Sequence, residues 1–313
     1  MNIYKNINEI KFDVNTAVTI GTFDGLHLGH RQIFETLFSK AKETGGRNFV
    51  VTFEPHPRTI VNSGSKVNLL TLFDEKIHLF EEMGVENVLI INFTKEFAST
   101  EYGEFIEKYL IHGIGTNNVV VGYDHKFGKN RGGNEEYLRT FGEKNNFDVT
   151  VVPPFSVEGT TVSSSLIRKV LLNGGNVELA EKYLGRYYLL RGNVIHGLSR
   201  GHEIGFPTAN IIPLHINKLV PENGVYLVGA KVEDKTFYGV MNIGTRPTFE
   251  NGEDIHLEIH ILGFDRNIYN KEVCVNFIKR IRDERKFDSV DDLKNQIKND
   301  IKKAENFITQ ITN

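Results

Sequence analysis

The chain has 313 residues, more than one domain usually holds, so two domains are expected. Hydrophobic residues make up 40%, charged residues 25%, and the formal net charge is −3; this is ordinary globular composition with no electrostatic basis for general nucleic-acid binding. Residues 1–11 carry charges without an apolar core, and no stretch approaches the roughly 18 apolar residues of a membrane span, so no secretion signal or membrane association is expected and the cytoplasm is the expected compartment.

Residues 17–20 read as a buried strand and 31–42 as a helix, where Ile33, Phe34, Leu37, Phe38 and Ala41 recur at helical spacing. Between them runs Gly21-Thr22-Phe23-Asp24-Gly25-Leu26-His27-Leu28-Gly29-His30. A strand, a glycine-rich turn and a helix start suit a phosphate: unpaired N–H groups and the positive dipole end face it, and glycines let the backbone approach. His27 and His30 are spaced to donate to phosphate oxygens as negative charge builds. From these residues alone, an exposed helix start with two chance histidines is the alternative.

Further strands are expected over 48–53, 87–92, 118–121 and 148–152, and helices over 72–83, 102–111 and 135–144. Short apolar strands between amphipathic helices predict a doubly wound parallel sheet, which binds ligands outside its carboxyl strand ends. Three more segments follow such strands or open a helix. In Thr52-Phe53-Glu54-Pro55-His56-Pro57, each proline holds its predecessor extended; Phe53 is suited to a planar ligand and His56 to a phosphate, and a rigid surface turn is the plain alternative. Gly122-Tyr123-Asp124-His125-Lys126-Phe127-Gly128-Lys129 is no P-loop, because its glycines are one residue too far apart and Asn130 stands where Ser or Thr is needed. Ser163, Ser164 and Ser165 precede Leu166, Ile167 and Arg168; a serine run caps a helix, and Arg168 lies about one turn in, within reach of phosphates at that helix start.

A short helix over 177–184 ends at Gly185, where the texture changes. Alternating runs such as 224–233, 235–243 and 255–262 indicate an antiparallel barrel or sandwich, followed by a charged amphipathic helix over 290–308. The boundary is placed between 184 and 185. Cys274, the only cysteine, lies in one alternating run and leaves no intrachain disulfide or multi-cysteine zinc site. In Gly205-Phe206-Pro207-Thr208-Ala209-Asn210, the oxygens of Thr208 and Asn210 point to one side if the segment is extended. Hydroxyl and amide oxygens are hard ligands suited to Mg²⁺; a polar turn is the alternative. His256, Glu258 and His260 share a strand face, which leaves a metal site and a solvated face both open.

These motifs carry a resemblance. The histidine turn resembles the His-x-Gly-His signature of nucleotidylyltransferases and, in its longer form, the adenylyltransferase half of bacterial bifunctional riboflavin kinase/FAD synthetases. The 52–57, 122–129 and 162–168 runs are similar to that family's motifs in order and spacing. Pro207-Thr208-Ala209-Asn210, Gly192-x-Val194-x-x-Gly197, Gly244-x-Arg246-Pro247-Thr248 and Arg282-Asp283-Glu284 resemble riboflavin kinase runs. The resemblance implies an FMN adenylyltransferase over 1–184 and a riboflavin kinase over 185–313, with riboflavin, FMN, FAD, ATP, ADP and pyrophosphate as substrates and products and Mg²⁺ as cofactor. It assigns His27 and His30 to transition-state stabilisation, Ser164 and Arg168 to the triphosphate, and Gly21, Phe23, Gly25, Gly29 and Ser163 to ATP. Phe53, His56, Asp124 and Phe127 would bind flavin. In the kinase half Gly197, Gly205 and Pro207 would bind nucleotide, Thr208 and Asn210 the metal, and Glu258 would act as general base. Three departures stand out: His125 replaces a family phenylalanine, Ser165 a threonine, and His202 an arginine. The last admits an alternative, an adenylyltransferase whose second half is a weak kinase or a flavin-sensing module.

Overall fold

The computed structural model describes residues 1–61, 67–196, 205–247 and 253–312. The chain divides into two compact units, Met1–Ser164 and Ser165–Asn313. In the first, β1 (Asn2–Tyr4), β2 (Thr16–Ile20), β3 (Arg47–Glu54), β4 (Asn87–Asn92), β5 (Thr116–Gly122) and β6 (Asp148–Val152) form one sheet in the order β1-β4-β3-β2-β5-β6. Every pairing in it is parallel. Between these strands run α1 (Leu28–Glu43), α2 (Pro57–Val61), α3 (Phe73–Glu82), α4 (Lys95–Ala98), α5 (Tyr102–Phe105) and α6 (Glu135–Asn145). From β2 the chain moves outward through β3 and β4, then returns to add β5 and β6 on the other side. The strand order therefore switches beside β2, which opens a crevice at the carboxyl ends of β2 and β5.

Alternation along the strands explains why the sheet is covered twice. Val18, Ile20, Phe49, Val51, Leu89, Ile91, Val119 and Val121 pack on one face with Ile106, Leu110 and Leu138. Their neighbours Ala17, Val50, Val88, Ile90 and Val120 pack on the other with Phe34, Leu37 and Phe80. A strand buried on both faces reads as a continuous apolar run, as these do. Two helices depart from the sequence reading. α1 begins at Leu28, three residues before the expected 31, because His27 caps it. The helix expected over 102–111 is α only to Phe105 and then widens into a π-helical stretch, Ile106–Ile114. Gly115 closes it at φ 88°, donating its N–H to the carbonyl of Leu110, five residues back.

A small hairpin, β7 (Ser156–Val157) with β8 (Thr160–Thr161), precedes α7 (Ser164–Leu172) and α8 (Val177–Leu184). The second unit then builds β9 (Tyr188–Ile195), β10 (Ala209–Pro213), β11 (Gly224–Val232), β12 (Lys235–Pro247), β13 (Glu253–Ile261) and β14 (Glu272–Arg282) into a closed barrel, ordered β10-β13-β12-β11-β14-β9. All its pairings are antiparallel. The C-terminal helix, Val290–Thr312, covers one side: Ala304 packs with Leu227 and Ile278, and Phe307 and Ile308 flank them. That cover explains why β11 is buried on both faces over most of its length.

One ion pair fastens the helix to the barrel. The Arg282 guanidinium reaches Asp300 with Nε at 3.1 Å from Oδ1 and Nη2 at 2.8 Å from Oδ2. Gln296 donates to the same carboxylate at 2.6 Å, and Asp300 is 2% exposed. Removing one partner of a buried pair leaves the other charge uncompensated. Asp300→Ala should therefore lower the unfolding free energy of the barrel by about 3 kcal/mol or more; an unchanged denaturant midpoint would contradict this role.

Candidate active sites

The histidine turn sits at the carboxyl end of β2, beside the switch in strand order. Phe23 has φ 48° and Leu26 φ 40°, with Gly25 at 88° between them. Two side-chain-bearing residues in left-handed conformation within one turn mark a strained segment held by its surroundings. The holding groups are visible. The buried Asp24 carboxylate accepts the N–H groups of Leu70 (3.2 Å) and Thr71 (2.9 Å), and the Thr71 hydroxyl accepts the Gly25 N–H at 2.8 Å. Ser164 donates its hydroxyl to the Asp24 carbonyl at 2.7 Å, so the serine run meets the turn directly.

Held this way, the turn presents its histidines as a pair. His27 is the N-cap of α1, and its Nδ1 accepts the His30 N–H at 3.3 Å. An accepting Nδ1 places the proton on Nε2, leaving Nε2–H as a donor. The two rings stack at 3.7 Å and 16°, and Phe23 meets His30 edge-on at 5.4 Å. Gly21 and Gly29 are small for local reasons. A Cβ on Gly21 would stand 2.8 Å from the Phe23 ring, and one on Gly29 would stand 3.2 Å from His27 Nδ1.

The other expected segments of the first unit lie at neighbouring strand ends. Phe53, next to last in β3, lies in an aromatic group, with Phe93 at 5.7 Å and Phe97 at 6.0 Å. His56 is buried, and its Nδ1 accepts the Arg58 N–H at 3.1 Å, so it too is fixed as the Nε2–H tautomer. Asp124 is exposed beyond β5, whereas Phe127 is buried against Phe105. His125 stacks on Phe127 at 5.5 Å and 21°. Burial, and secondarily the charge of Arg131, lowers the His125 pKa to about 4. Its Nε2 has no hydrogen-bond partner among the described residues. Ser163 lies just before α7, and Arg168, half-buried, lies on that helix in the second unit.

In the barrel, register sets the geometry. Glu258 on β13 pairs across to Asn210 on β10 and to Asn242 on β12. Their neighbours Leu257, Ile259, Met241 and Ile243 are buried, so by alternation the Asn210–Glu258–Asn242 rung points to the outer face of the wall. Gly205 (φ 85°) and Pro207 precede β10 together with Thr208, and the Pro207 carbonyl lies 2.8 Å from His260 Nδ1. Gly244, next along β12 on the same face as Asn242, is where Glu284 settles: a Cβ there would overlap the Glu284 carboxylate. Asn223 donates to that carboxylate at 3.2 Å. No group of three His, Cys, Asp or Glu residues arranged for a metal occurs among the described residues, so His256, Glu258 and His260 do not form one. Gly197, Gly201, His202 and Thr248 lie outside the described residues. Motif reading did not single out Thr71 or Lys76, both of which touch the histidine turn.

Residues 9–166 match the FAD synthetase family model, and 184–308 match the riboflavin kinase model. The chain is 35% identical to the bifunctional riboflavin kinase/FMN adenylyltransferase of Bacillus subtilis (strain 168), over 95% of this chain and 93% of the relative. It is 39% identical to the protein of the same name from Haemophilus influenzae, over 93% and 94%. The crystal structure of a macrolide-efflux protein from Streptococcus pneumoniae is similar across 97% of this chain and 98% of that one, with TM-score 0.88 and 32% identity. Among the described residues no helix is long and apolar enough to cross a membrane. The chain belongs to the bifunctional riboflavin kinase/FMN adenylyltransferase family.

The His125 environment yields a test. Its depressed pKa means that between about pH 6.5 and pH 4 the unfolded chain binds a proton that the folded chain does not. Stability from this residue is thus full above pH 6.5 and lost as pH falls toward 4. His125→Phe should remove that loss, so its stability advantage over the parent should grow between pH 7.5 and pH 5; a pH-independent difference would contradict a half-buried histidine held neutral with its Nε2 out of water.

Proposed function

We propose that the chain makes FAD from riboflavin in two ATP-dependent steps, each on its own side of a functional boundary at 184/185. The barrel transfers the γ-phosphoryl group of ATP to riboflavin, giving FMN and ADP. The α/β domain transfers the adenylyl group of a second ATP to FMN, giving FAD and pyrophosphate. What carries this reading is that the two family matches fall on the two halves, and that each half has its motif residues at a strand end or on a strand rung suited to the chemistry. We place both reactions in the cytoplasm.

In adenylyl transfer an FMN phosphate oxygen attacks the α-phosphorus of ATP, and the bond to the departing pyrophosphate breaks. No side-chain nucleophile is needed, so positioning and charge stabilisation supply the catalysis. His27, as an Nε2–H donor at the head of α1, and His30 beside it stabilise the charge that develops on phosphate oxygens. Gly21, Phe23, Gly25 and Gly29 shape the turn that takes the nucleotide, and Ser163 and Ser164 meet its phosphates, Ser164 through its backbone N–H because its hydroxyl is given to the Asp24 carbonyl. Arg168 is assigned to the triphosphate on its motif position. Phe53, His56, Asp124 and Phe127 take the flavin side.

In phosphoryl transfer Glu258 accepts the proton of the riboflavin 5′-hydroxyl as that oxygen attacks the γ-phosphorus. The outer-face rung suits this role, since it sets Glu258 between Asn210 and Asn242 on the side of the wall away from the buried layer. Thr208 and Asn210 offer hydroxyl and amide oxygens, a donor set that fits a hard divalent cation, which we take to be Mg²⁺. Held there with ATP, such an ion would supply neutralisation of the polyphosphate charge. Gly205 and Pro207 form the bend that brings these donors to the start of β10.

Glu258→Ala separates the two halves. FMN formation from riboflavin should fall about 100-fold or more, the usual contribution of a general base, while FAD formation from supplied FMN stays at the parent rate. Chromatographic time courses read both; a folded variant losing the two activities together would overturn the division of labour.

A further inference from the structure

Lys76, on α3, is 4% exposed and inserts its ammonium between two loops. Nζ lies 3.4 Å from the Thr22 carbonyl in the histidine turn, 3.3 Å from the Thr52 hydroxyl, and 3.5 Å from the Phe53 carbonyl at the end of β3. All three acceptors are neutral and all three contacts are long. The described residues contain no ion pair between Lys76 and a carboxylate, though Glu54 and Asp24 act on it at longer range. Burial pulls its pKa below the ordinary lysine value, and those two carboxylates oppose the shift. A buried ammonium with such contacts contributes little to folding, and an apolar side chain of the same length would fill the space as well.

The ammonium does, however, connect the segment that carries the histidines to the segment that carries Phe53 and His56. We propose that Lys76 is a positioning residue for adenylyl transfer: by holding the Thr22 carbonyl against the Thr52–Phe53 end of β3, it sets the spacing between the nucleotide phosphates and the flavin. The proposal rests on the reading of the histidine turn given above. Displacement by about 1 Å is enough to slow an in-line transfer about 100-fold, so a bridge of this kind acts on turnover more than on affinity.

The test uses the full chain and three variants, Lys76→Met, Lys76→Arg and His30→Ala, with FMN and ATP for adenylyl transfer and riboflavin and ATP for phosphorylation. Lys76→Met should lower the adenylyl-transfer kcat by about 10- to 100-fold, with KM for ATP little changed. Its melting temperature should be equal to or above the parent's, and riboflavin phosphorylation should be unaffected. Lys76→Arg, which keeps a donor and the charge, should recover part of the loss. A Lys76→Met kcat within about twofold of the parent, or a loss accompanied by a lower melting temperature and not eased by arginine, overturns the proposal. If Lys76→Met does not fold, Thr52→Val removes one acceptor and leaves the lysine; it should lower kcat at constant KM, and an unchanged kcat overturns the proposal equally. His30→Ala separates the two levels: if it keeps full adenylyl transfer, the site reading itself falls, whereas if it is inactive and Lys76→Met is not, only the role of Lys76 falls.

Discussion

The α/β domain depends on the burial of one carboxylate. Asp24 is 3% exposed, in a turn whose backbone is twice forced into left-handed conformation. Unpaired, a carboxylate in that place would be several kcal/mol unfavourable. It is stable because Leu70 and Thr71 bring two backbone N–H groups to it, while its own carbonyl takes the Ser164 hydroxyl. Two segments far from it in sequence, 70–71 and Ser164, are thereby tied to one residue. The strain at Phe23 and Leu26 is the consequence, and it delivers a histidine cap whose ring nitrogen is already engaged with the next turn.

The barrel reaches a comparable arrangement by different means. No strained turn is needed there, because antiparallel register already sets Asn210, Glu258 and Asn242 side by side. The dependence is on alternation: a slip of one residue between β12 and β13 would carry Glu258 into the buried layer and bring Leu257 or Ile259 out. The apolar partners Met241 and Ile243 hold the register by filling the interior. The Arg282–Asp300 pair and the packing of Ala304 then close one side of the barrel with the C-terminal helix.

Much of this was legible in the chain itself. The doubly wound sheet follows from apolar strands between amphipathic helices, and the barrel from closely spaced alternating runs. The histidine turn, the serine run and the Pro207–Asn210 segment announce themselves by short-range pattern. What escaped was set by contacts between distant positions. Lys76 and Thr71 read as ordinary residues around a helix start, since nothing local reveals that their side chains turn toward residues 22–25. Arg282-Asp283-Glu284 reads as one run, yet Arg282 serves Asp300 on the helix while Glu284 lies over Gly244 on β12. The helical period over 102–111 finds a helix but cannot tell an α turn from the wider π turn that Gly115 ends.

The central claim is that two independent sites on one chain pass FMN from one to the other. The most direct measurement mixes two full-length variants, each with one proposed site disabled, with riboflavin and ATP: Glu258→Ala, which removes the proposed kinase base, and His30→Ala, which removes a proposed adenylyl-transfer histidine. Neither alone should convert riboflavin to FAD, and the mixture should do so, because FMN released by the second chain is used by the first. Complete conversion by either variant alone, or a mixture that stops without FAD although both chains are folded, would contradict the account.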